Sequence, residues 1–312
     1  MLLLAIRLDW PSVLAALPRA HGPLLGVAAL LVLANLGVRA WRWRLLLGPV
    51  AVPRGPLVST YLIGVAAGLV VPASGELARA ILLARGSGLR TSYLLGAATV
   101  EKLLDTAAVV VLALLGLWAA SGLGGGLGGA GRGVALLLVG GLALLALVAA
   151  APVAPPGPPR RLPRGLARPW ERLGLAAAAA WGRFARGARV ALALPRRVQA
   201  AILALTLLGW TDACLVTLCV LAAFDLPPSW ALAAVLYGAL LLGLSVPSAP
   251  AAVGTFEVVA VAVLAAFGLP DAPSAAFALG FHLVTFAPPI LAGAVAWTLG
   301  SRGGPAGARL QP

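Results

Sequence analysis

The chain has 312 residues, of which 61% are hydrophobic and only 10% are charged. A soluble domain carries about 25% charged residues, so this composition excludes a soluble globule, a secreted disulfide scaffold and a disordered chain. The net charge of +14 would suggest a nucleic-acid partner in a soluble protein, but ten arginines lie in one loop, and we expect no nucleic acid to bind.

Continuous apolar runs predict an all-α polytopic membrane protein, because barrel strands would alternate in polarity. The predicted apolar segments are residues 23–38, 57–71, 91–118, 134–151, 198–224, 230–246, 256–267 and 275–299. A full span needs about 20 apolar residues, and the second and seventh segments, with 15 and 12 residues, fall furthest short of that length. Each adjoins a break that contains Pro and Gly, at residues 72–76 and 247–257. We therefore predict two re-entrant helical hairpins.

Basic residues predict the orientation of these segments. An early cluster alternates arginine with tryptophan, and its members are Arg39, Trp41, Arg42, Trp43 and Arg44. We interpret it as an anchor at the cytoplasmic interface. The later loop, residues 152–197, carries ten arginines between Arg160 and Arg197 and is also expected on the cytoplasmic side, where it can contact anionic headgroups.

The resulting topology is a single membrane domain, residues 1–312, with two halves of opposite orientation. Its predicted parts are a first half (22–119), a linking span (134–151), the Arg-rich loop (152–197), a second half (198–299) and a cytoplasmic tail (300–312). Each half contains a span, a broken hairpin and a long span. Inverted repeats of this kind are typical of transporters, in which the breaks meet near the bilayer midplane.

Five of the nine acidic residues lie inside apolar segments or at their breaks: Glu76, Glu101, Asp105, Asp212 and Glu257. An ionised carboxylate at the centre of a span costs about 2.5–3.5 kcal/mol, so each position requires a structural or functional reason. Asp212 has no charged neighbour in its own segment, and a helix-packing hydrogen bond and a functional role both stay open for it.

The two breaks share the order Pro, Gly, Glu. The first contains Pro72, Gly75 and Glu76, and the second contains Pro250, Gly254 and Glu257. A Glu in the first turn of a helix complements the positive helix end, and Gly permits a sharp turn. Glu76 is therefore either a cap paired with Arg79 three residues later or a residue of the substrate path.

A second charged motif follows each break. Glu101, Lys102 and Asp105 share one helix face, where Lys102 can neutralise one carboxylate and Arg79 or another cation is needed for the other. Glu76 and Glu101 are 25 residues apart, as are Glu257 and His282. His282 is accordingly either an interhelical hydrogen-bonding residue or a functional group.

At these residues the chain resembles the lysylphosphatidylglycerol synthase transmembrane-region family, the membrane half of bacterial multiple peptide resistance factors. The resemblance rests on four pieces: Arg42-Trp43, the segment Pro72 to Arg79, the segment Glu101 to Asp105, and the segment Pro250 to Glu257 with His282. Relatives usually carry Arg at the positions of Lys102 and His282. With only a short tail after Leu299, we expect a stand-alone member without the aminoacyl-transferase domain.

The resemblance implies a flippase-like protein of the bacterial cytoplasmic (inner) membrane, whose substrate is a phospholipid or lipid-linked headgroup. Arg79, Lys102 and His282 would attract the phosphate, while Glu76, Glu101, Asp105 and Glu257 would hold those cations or contact an amino headgroup. No catalytic or metal-ligand motif is present, so we expect no enzyme activity, cofactor or metal. The alternatives are a scaffold for a glycosyltransferase or lipid-modifying enzyme, and an ion-coupled small-solute transporter.

Overall fold

The computed structural model of the chain describes residues 11, 17–50, 52–71, 74–122, 190, 193–244 and 249–302. The predicted linking span (134–151), nearly all of the Arg-rich loop (152–197), Pro72, and most of the tail (300–312) lie outside the described residues. The predictions made for those segments stay predictions.

The described ranges form eight α-helices, which confirms the all-α class. They are α1 (Gly22–Leu46), α2 (Arg54–Val70), α3 (Gly75–Ser87), α4 (Thr91–Gly122), α5 (Arg196–Ala223), α6 (Trp230–Gly243), α7 (Thr255–Ala266) and α8 (Asp271–Arg302). Two 3-10 turns, Leu17–Arg19 and Pro250–Ala252, precede α1 and α7.

Four of these helices, α1, α4, α5 and α8, are long and apolar enough to cross a bilayer. By contrast, α2 has 17 residues and α7 has 12, which correspond to about 25 and 18 Å, short of the roughly 30 Å hydrocarbon core. The short helices flank the two predicted breaks. Most of the large apolar side chains that are more than half exposed lie on the long helices, as expected for lipid-facing surfaces. They include Leu30, Leu115, Leu207, Leu283 and Leu291.

The first break joins two helices that pack closely against each other. A Cβ atom added at Gly68 of α2 would lie 3.2 Å from the Cα atom of Gly75 at the start of α3. One added at Gly64 would lie 2.6 Å from the Cβ atom of Arg79. Small residues at both positions therefore let α2 and α3 form a tight helical pair. The second break joins α6 to α7, which pack in the same way through Gly243 and Val259.

The helix contacts follow a repeat in which α1, α2, α3 and α4 correspond to α5, α6, α7 and α8. Each principal contact between two helices also occurs between the two helices that correspond to them. The spans α1 and α5 pack on each other, α2 packs on α8 as α6 packs on α4, and α3 packs on α4 as α7 packs on α8. The weaker contacts follow the same exchange, since α1 meets α8 and α2 as α5 meets α4 and α6. This pattern supports the predicted repeat, while the inverted orientation of the halves stays a prediction.

Candidate functional site

A cavity of about 500 Å³ lies between the two breaks, within the size range of small-molecule sites. Its two walls differ in chemistry. All the charged lining residues come from α1, α3, α4 and α5: Arg39, Glu76, Arg79, Glu101, Lys102, Asp105 and Asp212. The helices α6, α7 and α8 contribute mainly aromatic and aliphatic side chains, among them Tyr237, Leu240, Phe256, Phe281 and Phe286. The cavity is therefore amphipathic.

The charged wall rests on a buried network of ion pairs, which we call the arginine–carboxylate network: Arg42, Arg79, Glu101 and Asp105. Arg42 donates to both oxygens of Asp105, at 2.7 Å each, and to Glu101 at 3.1 Å. Arg79 donates to the other oxygen of Glu101 at 2.5 Å. Since Arg42 and Glu101 are only 1% and 4% exposed, each charge depends on its partners for compensation.

The burial of Arg42 and Trp43 corrects, for these two residues, the interpretation of the Arg-Trp cluster as an anchor at the membrane interface. Arg42 and Trp43 are buried in the helix bundle, whereas Trp41 is 48% exposed. The reason is helical geometry: adjacent residues lie about 100° apart on a helix, so one part of the cluster faces α4 and α5 while Trp41 faces outward. The guanidinium of Arg79 lies 4.1 Å from the centre of the Trp43 ring, which adds a cation–π contact to the network.

Glu76 and Lys102 form a separate pair at the edge of the network. Lys102 Nζ lies 3.5 Å from Glu76 Oε1, and the two side chains are 66% and 38% exposed. Glu76 makes its ion pair with Lys102 and not with Arg79, whose ion-pair partner is Glu101. Lys102 likewise does not neutralise Glu101 or Asp105 and reaches across to α3 instead. This pair is the loosest of those that line the cavity.

Glu257 and His282, the two residues with the 25-residue spacing in the second half, contact each other. His282 Nδ1 lies 2.5 Å from Glu257 Oε1, and its Nε2 lies 3.0 Å from the carbonyl oxygen of Ala251. Glu257 Oε2 accepts the backbone N–H of Gly254 at 2.6 Å. Neither side chain is among those that line the cavity; Phe256, which does line it, stacks on the imidazole with ring centres 4.6 Å apart. The predicted phosphate contact of His282 thus stays a prediction.

Three polar residues of the charged wall were missed by sequence reasoning. Arg39 donates to Asp105 at 3.3 Å and to Asn35 at 2.7 Å. Asn35 donates to Asp212 at 2.8 Å and to the carbonyl oxygen of Gly209 at 2.6 Å, which supports the helix-packing role for Asp212. Trp210 donates to Asp105 at 3.1 Å. A four-residue spacing from Asn35 to Arg39 was the available signal, since such residues share a helix face.

No group of three or more His, Cys, Asp or Glu side chains among the described residues is arranged to hold a metal ion. Cys214 and Cys219 are free thiols on α5. What the charged wall offers instead is a set of cations held in place by carboxylates beside an apolar surface. Such a surface can bind an amphiphile, with its polar group on one wall and its apolar part on the other.

The fold and this cavity define a class of protein: an all-helical membrane protein with several spans and a charged, half-apolar cavity between two broken helix pairs. The family model described as the Lysylphosphatidylglycerol synthase TM region matches residues 1–293, and the chain belongs to that family. No curated protein and no solved structure matches the chain.

Proposed function

We propose that the protein translocates a phospholipid or lipid-linked headgroup across the bacterial cytoplasmic membrane through the cavity between the breaks. The observation that carries this proposal is the chemical division of the cavity walls. A small polar solute or an ion needs polar contacts on all sides, whereas a lipid presents a charged headgroup next to apolar chains. The charged wall of α1, α3, α4 and α5 and the aromatic wall of α6 to α8 provide for both parts.

Within this proposal Lys102 is the first residue to contact the phosphate. Its side chain is 66% exposed and its ammonium group lies 3.5 Å from Glu76, so a phosphate can approach it without breaking the buried network. Glu76 is then free to contact an amino group of the substrate. Arg79 and Arg39 line the same cavity and are held by Glu101 and Asp105, which keeps further positive charge next to the headgroup.

The experiment is a flipping assay in vesicles that contain the purified protein and a trace of fluorescent phospholipid, with external reduction of the fluorophore. Lys102→Ala removes the exposed ammonium group. The matched control is Arg85→Ala, which removes a cation from an exposed position of α3 that does not line the cavity. Lys102→Arg keeps the charge.

We expect Lys102→Ala to lower the flipping rate by about tenfold or more, because the loss of one hydrogen bond to a charged group corresponds to about this factor. Arg85→Ala and Lys102→Arg should flip at rates close to the wild type. Two results would contradict the proposal: folded wild-type protein that does not accelerate flipping, or a Lys102→Ala variant that is as active as Arg85→Ala.

A further inference from the structure

The hydrogen bonds of His282 determine where its protons lie. The carbonyl oxygen of Ala251 can only accept, so the Nε2 atom 3.0 Å away carries a hydrogen and donates it. Glu257 Oε2 accepts the N–H of Gly254 at 2.6 Å. A second proton must then lie in the 2.5 Å contact between His282 Nδ1 and Glu257 Oε1, because without it two lone pairs would face each other.

This shared proton makes the pair electrically neutral, whether it is written as imidazolium and carboxylate or as imidazole and carboxylic acid. Neutrality suits its surroundings, since His282 is only 8% exposed. Three charged side chains of the helices packed on α8 are bound elsewhere: Arg39 and Arg42 bond to Asp105, and Asp212 accepts from Asn35. Glu257 is the acidic side chain that pairs with His282 in the described part of the chain.

The pair also holds the backbone of the second break. Ala251 and Ala252 have φ angles of 55° and 56°, a left-handed conformation that residues with a Cβ atom rarely adopt. His282 binds the carbonyl of Ala251, within this stretch, and Glu257 binds the N–H of Gly254, two residues after it. Two hydrogen bonds from one pair thus secure both ends of a strained turn that leads into α7.

Movement of this turn would reach the cavity directly. Phe256 and Phe286 pack on the imidazole with ring centres 4.6 and 4.3 Å away, and both rings line the cavity wall. These two rings lie between the pair and the cavity, so they move when the pair moves.

We propose that Glu257 and His282 form a proton-binding site that controls the second break. With the proton bound, the turn is held and α7 keeps its position. When the proton leaves to water, His282 keeps its Nε2–H, its Nδ1 atom becomes a bare acceptor, and Glu257 becomes a carboxylate. The two acceptors then repel each other, so the pair no longer holds both Ala251 and Gly254, and the turn is released. Its role in gating lipid passage rests on the proposed function, but the proton site itself does not.

The test is amide hydrogen exchange of the full-length protein in lipid nanodiscs from about pH 5 to about pH 9, corrected for the intrinsic pH dependence of exchange. We expect the Gly254 amide to be protected at low pH and to lose protection by about tenfold or more as the pH rises. The Glu257→Gln side chain can donate to an unprotonated Nδ1 and still accept from Gly254 without a shared proton, so this variant should keep its protection as the pH rises.

His21 supplies the matched control, because it is the other histidine of the chain and pairs with Asp225 at 3.3 Å in an exposed position. His21→Gln should keep the wild-type pH dependence. In this variant, nitrogen-15 NMR of the single remaining histidine should show a proton on Nδ1 that disappears over the same pH range. Protection of Gly254 that does not change with pH in the wild type, or that changes equally in Glu257→Gln, would overturn the inference. A failed flipping assay would overturn the proposed function alone.

Discussion

Replacing Glu101 by Gln tests whether the arginine–carboxylate network depends on charge. The carboxylate is 4% exposed and accepts from Arg42 at 3.1 Å and from Arg79 at 2.5 Å. In the Gln variant Arg42 retains Asp105, but Arg79 loses its ion-pair partner and a positive charge is left buried. Removal of one partner from a buried pair costs about 3–5 kcal/mol. Glu76→Gln makes the same chemical change in a half-exposed pair, for which about 0–1 kcal/mol is expected.

The assay is reversible denaturation in mixed micelles, followed by the fluorescence of the nine tryptophans. Glu101→Gln should lower the free energy of unfolding by at least about 3 kcal/mol, and Glu76→Gln should change it by less than about 1 kcal/mol. The double variant Arg79→Gln with Glu101→Gln removes the unpaired charge, so it should be less destabilised than the sum of its single changes. Equal losses for Glu101→Gln and Glu76→Gln, or strict additivity in the double variant, would refute the reasoning.

Two further predictions concern helix packing. A methyl group at Gly293 would lie 2.3 Å from the Cβ atom of Ala66, so Gly293→Ala should lower the free energy of unfolding by about 1–3 kcal/mol in the same denaturation assay. A methyl group at Gly26 meets nothing within 4 Å, so Gly26→Ala should cause no loss of stability. The reverse order would contradict the close approach of α8 to α2. Asn35→Ala removes the hydrogen bonds that Asn35 donates to Gly209 and Asp212, so it should lower the free energy of unfolding by about 1–3 kcal/mol. An unchanged value would show that this link between α1 and α5 does not stabilise the fold.

The helices and breaks were largely predictable because hydrophobicity and backbone restrictions are local properties. The break at Pro250 and Gly254 was expected from two residue types, and α7 begins at Thr255, directly after the Gly. The apolar segment 57–71 likewise corresponds to α2, which ends at Val70. Boundaries of this kind depend on a few adjacent residues, and no knowledge of the neighbouring helices is needed to place them.

The partners of the charged residues were less predictable, since they depend on which helix faces pack together. Arg42 lies in a cluster whose composition is typical of a membrane interface, and only its packing against α4 and α5 shows that it is buried. Lys102 sits next to Glu101 in the sequence, but neighbouring residues on a helix point in different directions. It therefore meets Glu76 of α3, while Glu101 takes the arginines.

The equal spacing of 25 residues in the two halves relates positions that make different contacts. Glu257 does meet His282, but at the corresponding positions of the first half Glu76 and Glu101 both carry negative charge, and each takes a cation instead. One half thus presents a loose, exposed lysine–glutamate pair to the cavity, and the other holds a closed histidine–glutamate pair behind aromatic rings. A repeat with identical pairs would bind and gate with the same groups. Here the open pair on the charged wall is suited to substrate binding. The closed pair, whose shared proton holds the turn, is suited to controlling the aromatic wall on the other side of the cavity.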